Sequence, residues 1–165
     1  MKRPSLQFSV PCLAVIEEKG PPTFQGIFFE LPFPQFPFKF PGRGFFVANG
    51  WCNGQGRFAQ EIKILKPDKK TELIKTGKQP FELKEQEVPF MAVNLFQDLV
   101  FEAPGTYYLQ VSLADEQGGI KNELEYPIVI RLAEGATNAP AKNENANPAP
   151  APTNDSGNIA TPKKK

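Results

Sequence analysis

Glu102-Ala-Pro-Gly-Thr-Tyr-Tyr-Leu-Gln-Val-Ser-Leu-Ala114 sets the period of this chain. Ala103-Pro104-Gly105 is a tight-turn signal, and the residues after it alternate. Tyr107, Leu109, Val111 and Leu113 fall on one side of an extended backbone, whereas Tyr108, Gln110 and Ser112 fall on the other. A period of two, with an apolar and a more polar side, predicts a half-buried strand and not a helix.

The same period recurs outward from that stretch. In Asn122–Leu132 the residues Leu124, Tyr126, Ile128, Ile130 and Leu132 share one side, opposite Glu125 and Arg131. At the start of the chain Leu6, Phe8, Val10, Cys12, Ala14 and Ile16 alternate cleanly. They predict a first strand that turns all six to one side, with Cys12 inside. Thr23–Leu31 reads as one strand. Phe45–Cys52 and Arg57–Leu65, joined by the turn-rich Asn53-Gly-Gln-Gly56, predict an antiparallel hairpin. Short strands are expected near Thr71–Thr76 and Phe81–Lys84, and another in Val88–Phe101, interrupted near Gln97-Asp98. Pro11 and Pro127 interrupt strong strand patterns, which places them at edges or bulges where a missing N–H does no harm.

About eight short strands and no convincing helix predict an all-β, antiparallel two-sheet sandwich over residues 1–133. The 18 prolines and 13 glycines fit a fold of many turns. From residue 134 to 165 the pattern stops. Ala, Asn, Pro and Thr dominate there, and Ile159 is the only large apolar residue. Such a segment buries too little surface to offset ordering entropy, so a disordered tail is expected.

Composition excludes more than it assigns. The charges nearly cancel, with 19 basic and 18 acidic side chains, so no long-range field draws a polyanion and nucleic acid is not implied. There is no histidine. That removes the commonest general base, the Ser-His and Cys-His pairs and the usual zinc ligand together. Cys12 and Cys52 lie too far apart in sequence for a metal finger, and no glycine-rich phosphate loop is present. The chain is therefore read as a non-enzyme, with no catalytic, cofactor-binding or metal-binding residue and no cofactor. No apolar stretch is long enough to span a bilayer, and no cleavage site follows Met1–Ile16. A cytoplasmic protein without a membrane partner is expected. Two reduced thiols are then favoured, with a Cys12–Cys52 bridge as the other reading, prompted by Trp51 beside Cys52.

Two surfaces are candidates for binding. The Pro32–Pro41 segment carries Phe33, Phe36, Phe38 and Phe40. Exposed, these rings mark a contact surface for an unknown protein partner or for self-association. Against this, most of the 15 phenylalanines must go inside, which favours their lining or capping the core. The alternative is a carbohydrate- or small-ligand-binding domain that uses Trp51 and Tyr108 as stacking rings. The lysines between residues 57 and 85 interleave with acids and read as a solvated sheet face.

The turn before Tyr107 resembles the tyrosine corner of immunoglobulin-like sandwiches, whose hydroxyl bonds nearby backbone. Over residues 6–132 the layout resembles an uncharacterised family of small bacterial and phage-associated β-sandwich proteins. Three parts carry the likeness: Leu6–Ile16 running on to Gln25-Gly-Ile-Phe28, the Pro-Phe stretch before Phe45–Trp51, and Phe101–Val111. The resemblance implies an immunoglobulin-like sandwich with no established activity and carries over no site. The expected role is a protein-interaction or structural module.

Overall fold

The computed structural model describes residues 1–40, 42 and 44–136. The expected tail lies outside the described residues from position 137 onward. Among the described residues the chain is all-β, without a helix. Four strands form one sheet in the order β2 (Thr23–Ile27), β1 (Ser5–Ile16), β5 (Phe45–Cys52), β9 (Phe90–Phe96). The larger sheet runs β3 (Glu30–Phe33), β12 (Ile120–Leu132), β11 (Gly105–Asp115), β6 (Gly56–Leu65). Along the far side of β6, β7 (Glu72–Lys75) and β8 (Gln79–Leu83) pair with successive stretches. A two-residue ladder joins β4 (Phe38–Lys39) to β10 (Val100–Phe101).

Side chains from both larger sheets meet in one core. Phe45, Val47, Trp51 and Phe96 come from the smaller sheet; Phe58, Ile62, Leu109, Val111, Ile128 and Ile130 come from the larger. The Tyr107, Leu109, Val111, Leu113 alternation faces this core as its period predicts. The Tyr107 hydroxyl donates to the Ala103 carbonyl at 3.0 Å, tying the turn to the strand that follows it. The break expected near Gln97-Asp98 is present, with Asp98 at φ 54° between β9 and β10. Pro11 sits one residue, and Pro127 two residues, outside a neighbouring ladder. Pairing with β2 begins at Cys12, and pairing with β3 begins at Val129.

Three expectations are corrected. Thr23–Leu31 is two strands, not one. Phe28 N–H donates to Pro11 O in the smaller sheet at 3.2 Å, and Phe29 O accepts from Val129 N in the larger at 2.8 Å. The chain thus changes sheets at this dipeptide, just after Gly26 at φ 65°. Its onward direction makes β3 parallel to β12, so the larger sheet is mixed and not wholly antiparallel. Phe45–Cys52 and Arg57–Leu65 do not form a hairpin, because β5 pairs with β1 and β9 whereas β6 pairs with β11, β7 and β8. The Asn53–Gly56 turn carries the chain from one sheet to the other; turn chemistry encodes the reversal but not the layer. Strand number is the third correction, twelve among the described residues against about eight. The surplus is mostly short pieces, such as the two residues each of β4 and β10.

Candidate functional site: an apolar outer sheet face

The four phenylalanines of the Pro-Phe segment come together. Phe33 stacks on Phe38 with centroids 3.9 Å apart and touches Phe36 and Phe40 edge-on. Phe101 closes the group at 5.6 Å from Phe33. Phe33 and Phe40 are buried, and Phe36 and Phe38 are half-buried against the core. As placed, most of this apolar area is spent on the rings themselves.

Trp51 and Tyr108 are not brought together. Trp51 is fully buried between the sheets, where Nε1 donates to Gln60 Oε1 at 2.8 Å and the ring stacks on Phe81. It offers no face to a ligand. Tyr108 lies on the outside of the larger sheet, with Lys69 Nζ 4.0 Å above its ring. The expectation of two open stacking rings is not met. Cys12 and Cys52 are free thiols. Cys12 stands opposite Phe46, and Cys52 opposite Ser5, at the other end of the same ladder. Six residue steps of β5, from Phe46 to Cys52, separate them, about 20 Å, well beyond disulfide reach. Burial pushes the Cys12 thiol up from its ordinary value.

The outer surfaces of the two sheets differ in kind. On the larger sheet Lys63 bridges Glu72 and Glu61, Lys69 reaches Glu125, and Arg57 reaches Glu82. Many of the carboxylates are thus held in ion pairs on a solvated face, as the interleaved charges predict. On the smaller sheet the outward positions are set by a bulge in β1. Leu6 stands opposite Trp51, but Phe8 stands opposite Gly50, so two residues of β1 match one of β5. The extra residue, Gln7, reverses the phase of everything after it. Leu6 still packs against the core. From there inward the chain shows Ser9, opposite Asn49, and Pro11, opposite Val47. Ser9 lies beside the Tyr126 hydroxyl of β12, outside hydrogen-bonding geometry. Burial raises that phenol to about 12.

The expectation that Leu6–Ile16 turns one apolar side to the core is therefore corrected at Phe8. Phe8, Val10 and Cys12 face away, level with Gly50, Ala48 and Phe46 of β5. Their neighbours on β9 are Met91, Val93 and Leu95, and Ile27 of β2 stands beside Cys12. Cross-strand partners share a face, so these residues form one continuous outward carpet. No charged residue stands on the outward positions of these four strands; Ser5, Thr23 and Gln25 are the polar ones, at the rim. Gly50 makes room for Phe8, whose ring occupies the space a side chain would take. Ala48 and Cys12 are covered by their larger neighbours, whereas Met91 (38%), Leu95 (39%) and Ile27 (50%) remain open. The signal was in the sequence, since Phe8-x-Val10-x-Cys12 and Met91-x-Val93-x-Leu95 alternate. Their direction depended on a bulge that no residue type at Gln7 announces.

Among the described residues no helix is long and apolar enough to cross a membrane. A family model described as a family of unknown function matches residues 7–130, more than half of the chain and nearly all of the strands above. None of the curated proteins matches the chain.

Proposed function

The chain belongs to DUF6941, a family of unknown function, and we propose that it is a non-enzymatic, immunoglobulin-like β-sandwich module working through protein–protein contact. One observation carries the reading. The outward side of the four-stranded sheet is apolar and uncharged from Ile27 to Leu95, whereas the other sheet's outer side is laced with ion pairs. Contiguous apolar surface of this kind on a domain marks a contact site. The tyrosine-corner bond of Tyr107 and a core fed by two sheets support the sandwich assignment. The lack of histidine supports a binding role over acid–base chemistry. Two unbridged thiols fit a reducing, cytoplasmic setting.

Affinity purification of the tagged full chain from its own organism tests the reading. Phe46 is central on the face and half-buried. Proteins other than the chain itself that are recovered with the wild type are expected to be lost with Phe46→Glu while the circular-dichroism melt stays cooperative. Recovery of the same set with the folded variant removes the proposal.

A further inference from the structure

We infer that a second copy of the chain joins the four-stranded sheet edge to edge through β9, at the border of this face; the inference rests on the contact reading above. β9 is Phe90-Met-Ala-Val-Asn-Leu-Phe96, seven residues at the end of the four-stranded sheet. One side pairs with β5, and among the described residues no strand pairs with the other. An edge strand leaves a row of N–H and C=O groups open to another strand, and chains ordinarily guard such rows with lysine, proline or a bulge. β9 has none of these: it carries no charge and no proline, and its register with β5 runs unbroken from Phe90 to Phe96. By contrast, β3 at the edge of the larger sheet carries Pro32 and the Arg131–Glu30 ion pair.

The strand is also self-complementary. In an antiparallel pair about a two-fold axis at Val93, Val93 meets its own copy and Met91 meets Leu95. All of these are outward side chains of the carpet. Pairing extends the four-stranded sheet across the axis and makes the two apolar faces one. The inward partners, Ala92 with Asn94 and Phe90 with Phe96, are uncharged as well. A contact of this symmetry places the same patch on both copies, and a net charge of +1 raises no barrier between them. Residues 137–165 are a poor alternative occupant, because Ile159 is their only large apolar side chain.

Sedimentation of the full chain at up to about 100 µM tests the inference, a range that reveals contacts of micromolar strength. The wild type is expected at twice its 18.3 kDa chain mass. Val93→Lys, which puts like charges opposite each other at the axis, is expected at the single mass with an unchanged melt. Ile27→Lys, at the far end of the same face, is expected to stay a dimer. Hydrogen exchange should show the β9 amides losing at least tenfold protection on dilution of the wild type. A wild type that stays monomeric overturns the inference, as does a dimer that survives Val93→Lys or is dissolved by Ile27→Lys. If Val93→Lys unfolds the chain, Leu95→Lys repeats the arm with the same two outcomes. A monomer that still loses its partners through Phe46→Glu separates failure here from failure of the contact reading.

Discussion

Trp51 Nε1 donates to Gln60 Oε1 at 2.8 Å, joining β5 to β6 across the core with both side chains fully buried. The same oxygen accepts from Asn49 Nδ2 at 3.2 Å, and Gln60 Nε2 donates to Gln79 at 2.9 Å. One amide thus anchors two side chains of the smaller sheet and one of the larger. Gln60→Leu keeps the volume and strands the indole N–H and the Asn49 amide. Leaving buried donors unsatisfied costs about 1–3 kcal/mol. Urea unfolding followed by circular dichroism should show that loss. Trp51→Phe should cost less in the Gln60→Leu background than in the wild type, since the indole bond to Gln60 is already gone there. Equal stability of Gln60→Leu and the wild type would dismiss this bond as a link between the sheets.

The tyrosine corner makes a smaller, cleaner prediction. Tyr107 is buried apart from its hydroxyl's bond to Ala103 O, and its ring meets Phe101 edge-on at 4.9 Å. Tyr107→Phe removes the bond and preserves the ring contact, so about 1 kcal/mol should be lost. Tyr107→Leu should lose more, because the aromatic contact goes too. Thermal denaturation of the two variants separates the terms. A phenylalanine variant as unstable as the leucine one would assign the whole effect to the hydroxyl.

Periodicity made much of the fold legible, and it failed where one residue changes the phase. Tyr107 to Leu113 and Leu124 to Ile130 face the core as their alternation predicts. Phe8, Val10 and Cys12 alternate just as cleanly and face out, because a strand pattern specifies that residues share a side but not which side. The bulge at Gln7 decides that, and it follows from long-range pairing with Gly50 and Trp51. For the same reason the four phenylalanines of residues 33–40 drew attention ahead of the face on β1, β5 and β9. Their density is a local signal, whereas the carpet is assembled from strands far apart in sequence. Layer assignment was illegible at Asn53–Gly56 and at Phe28-Phe29 because turn residues fix dihedral angles, not destinations.

Gly50 and Phe8 test the reversed phase directly. A Cβ added at Gly50 would lie well inside contact distance of the Phe8 ring. If Phe8 lies outward over Gly50, Gly50→Ala must lift the ring or shift the ladder, costing about 1–3 kcal/mol as overpacking does. Phe8→Leu in the Gly50→Ala background should relieve much of that strain. Chemical denaturation of the three variants reads the coupling. Strictly additive effects would mean that the ring does not sit over Gly50.

Asp68 links a surface turn to pH. Its carboxylate accepts from the Thr71 hydroxyl, the Thr71 N–H and the Lys70 N–H, capping the Lys66–Lys69 turn that Pro67 begins. The Thr71 hydroxyl is the leading cause that holds the Asp68 carboxyl down at about 2, against its ordinary 3.8, with the two backbone bonds next. A depressed folded value means that the native state prefers the charged form. The stabilisation is complete above about pH 4 and is lost as pH falls through about 2. The substitution Asp68→Asn mimics the neutral acid, because the amide keeps the shape and lacks the charge. Urea midpoints of the wild type and Asp68→Asn should therefore differ near neutral pH and converge on acidification through that window. Thr71→Val, which removes the leading hydrogen bond, should shrink the neutral-pH gap. A gap that stays constant from neutral pH down to about pH 2 would place the turn's stability in neutral hydrogen bonding and not in the carboxylate charge.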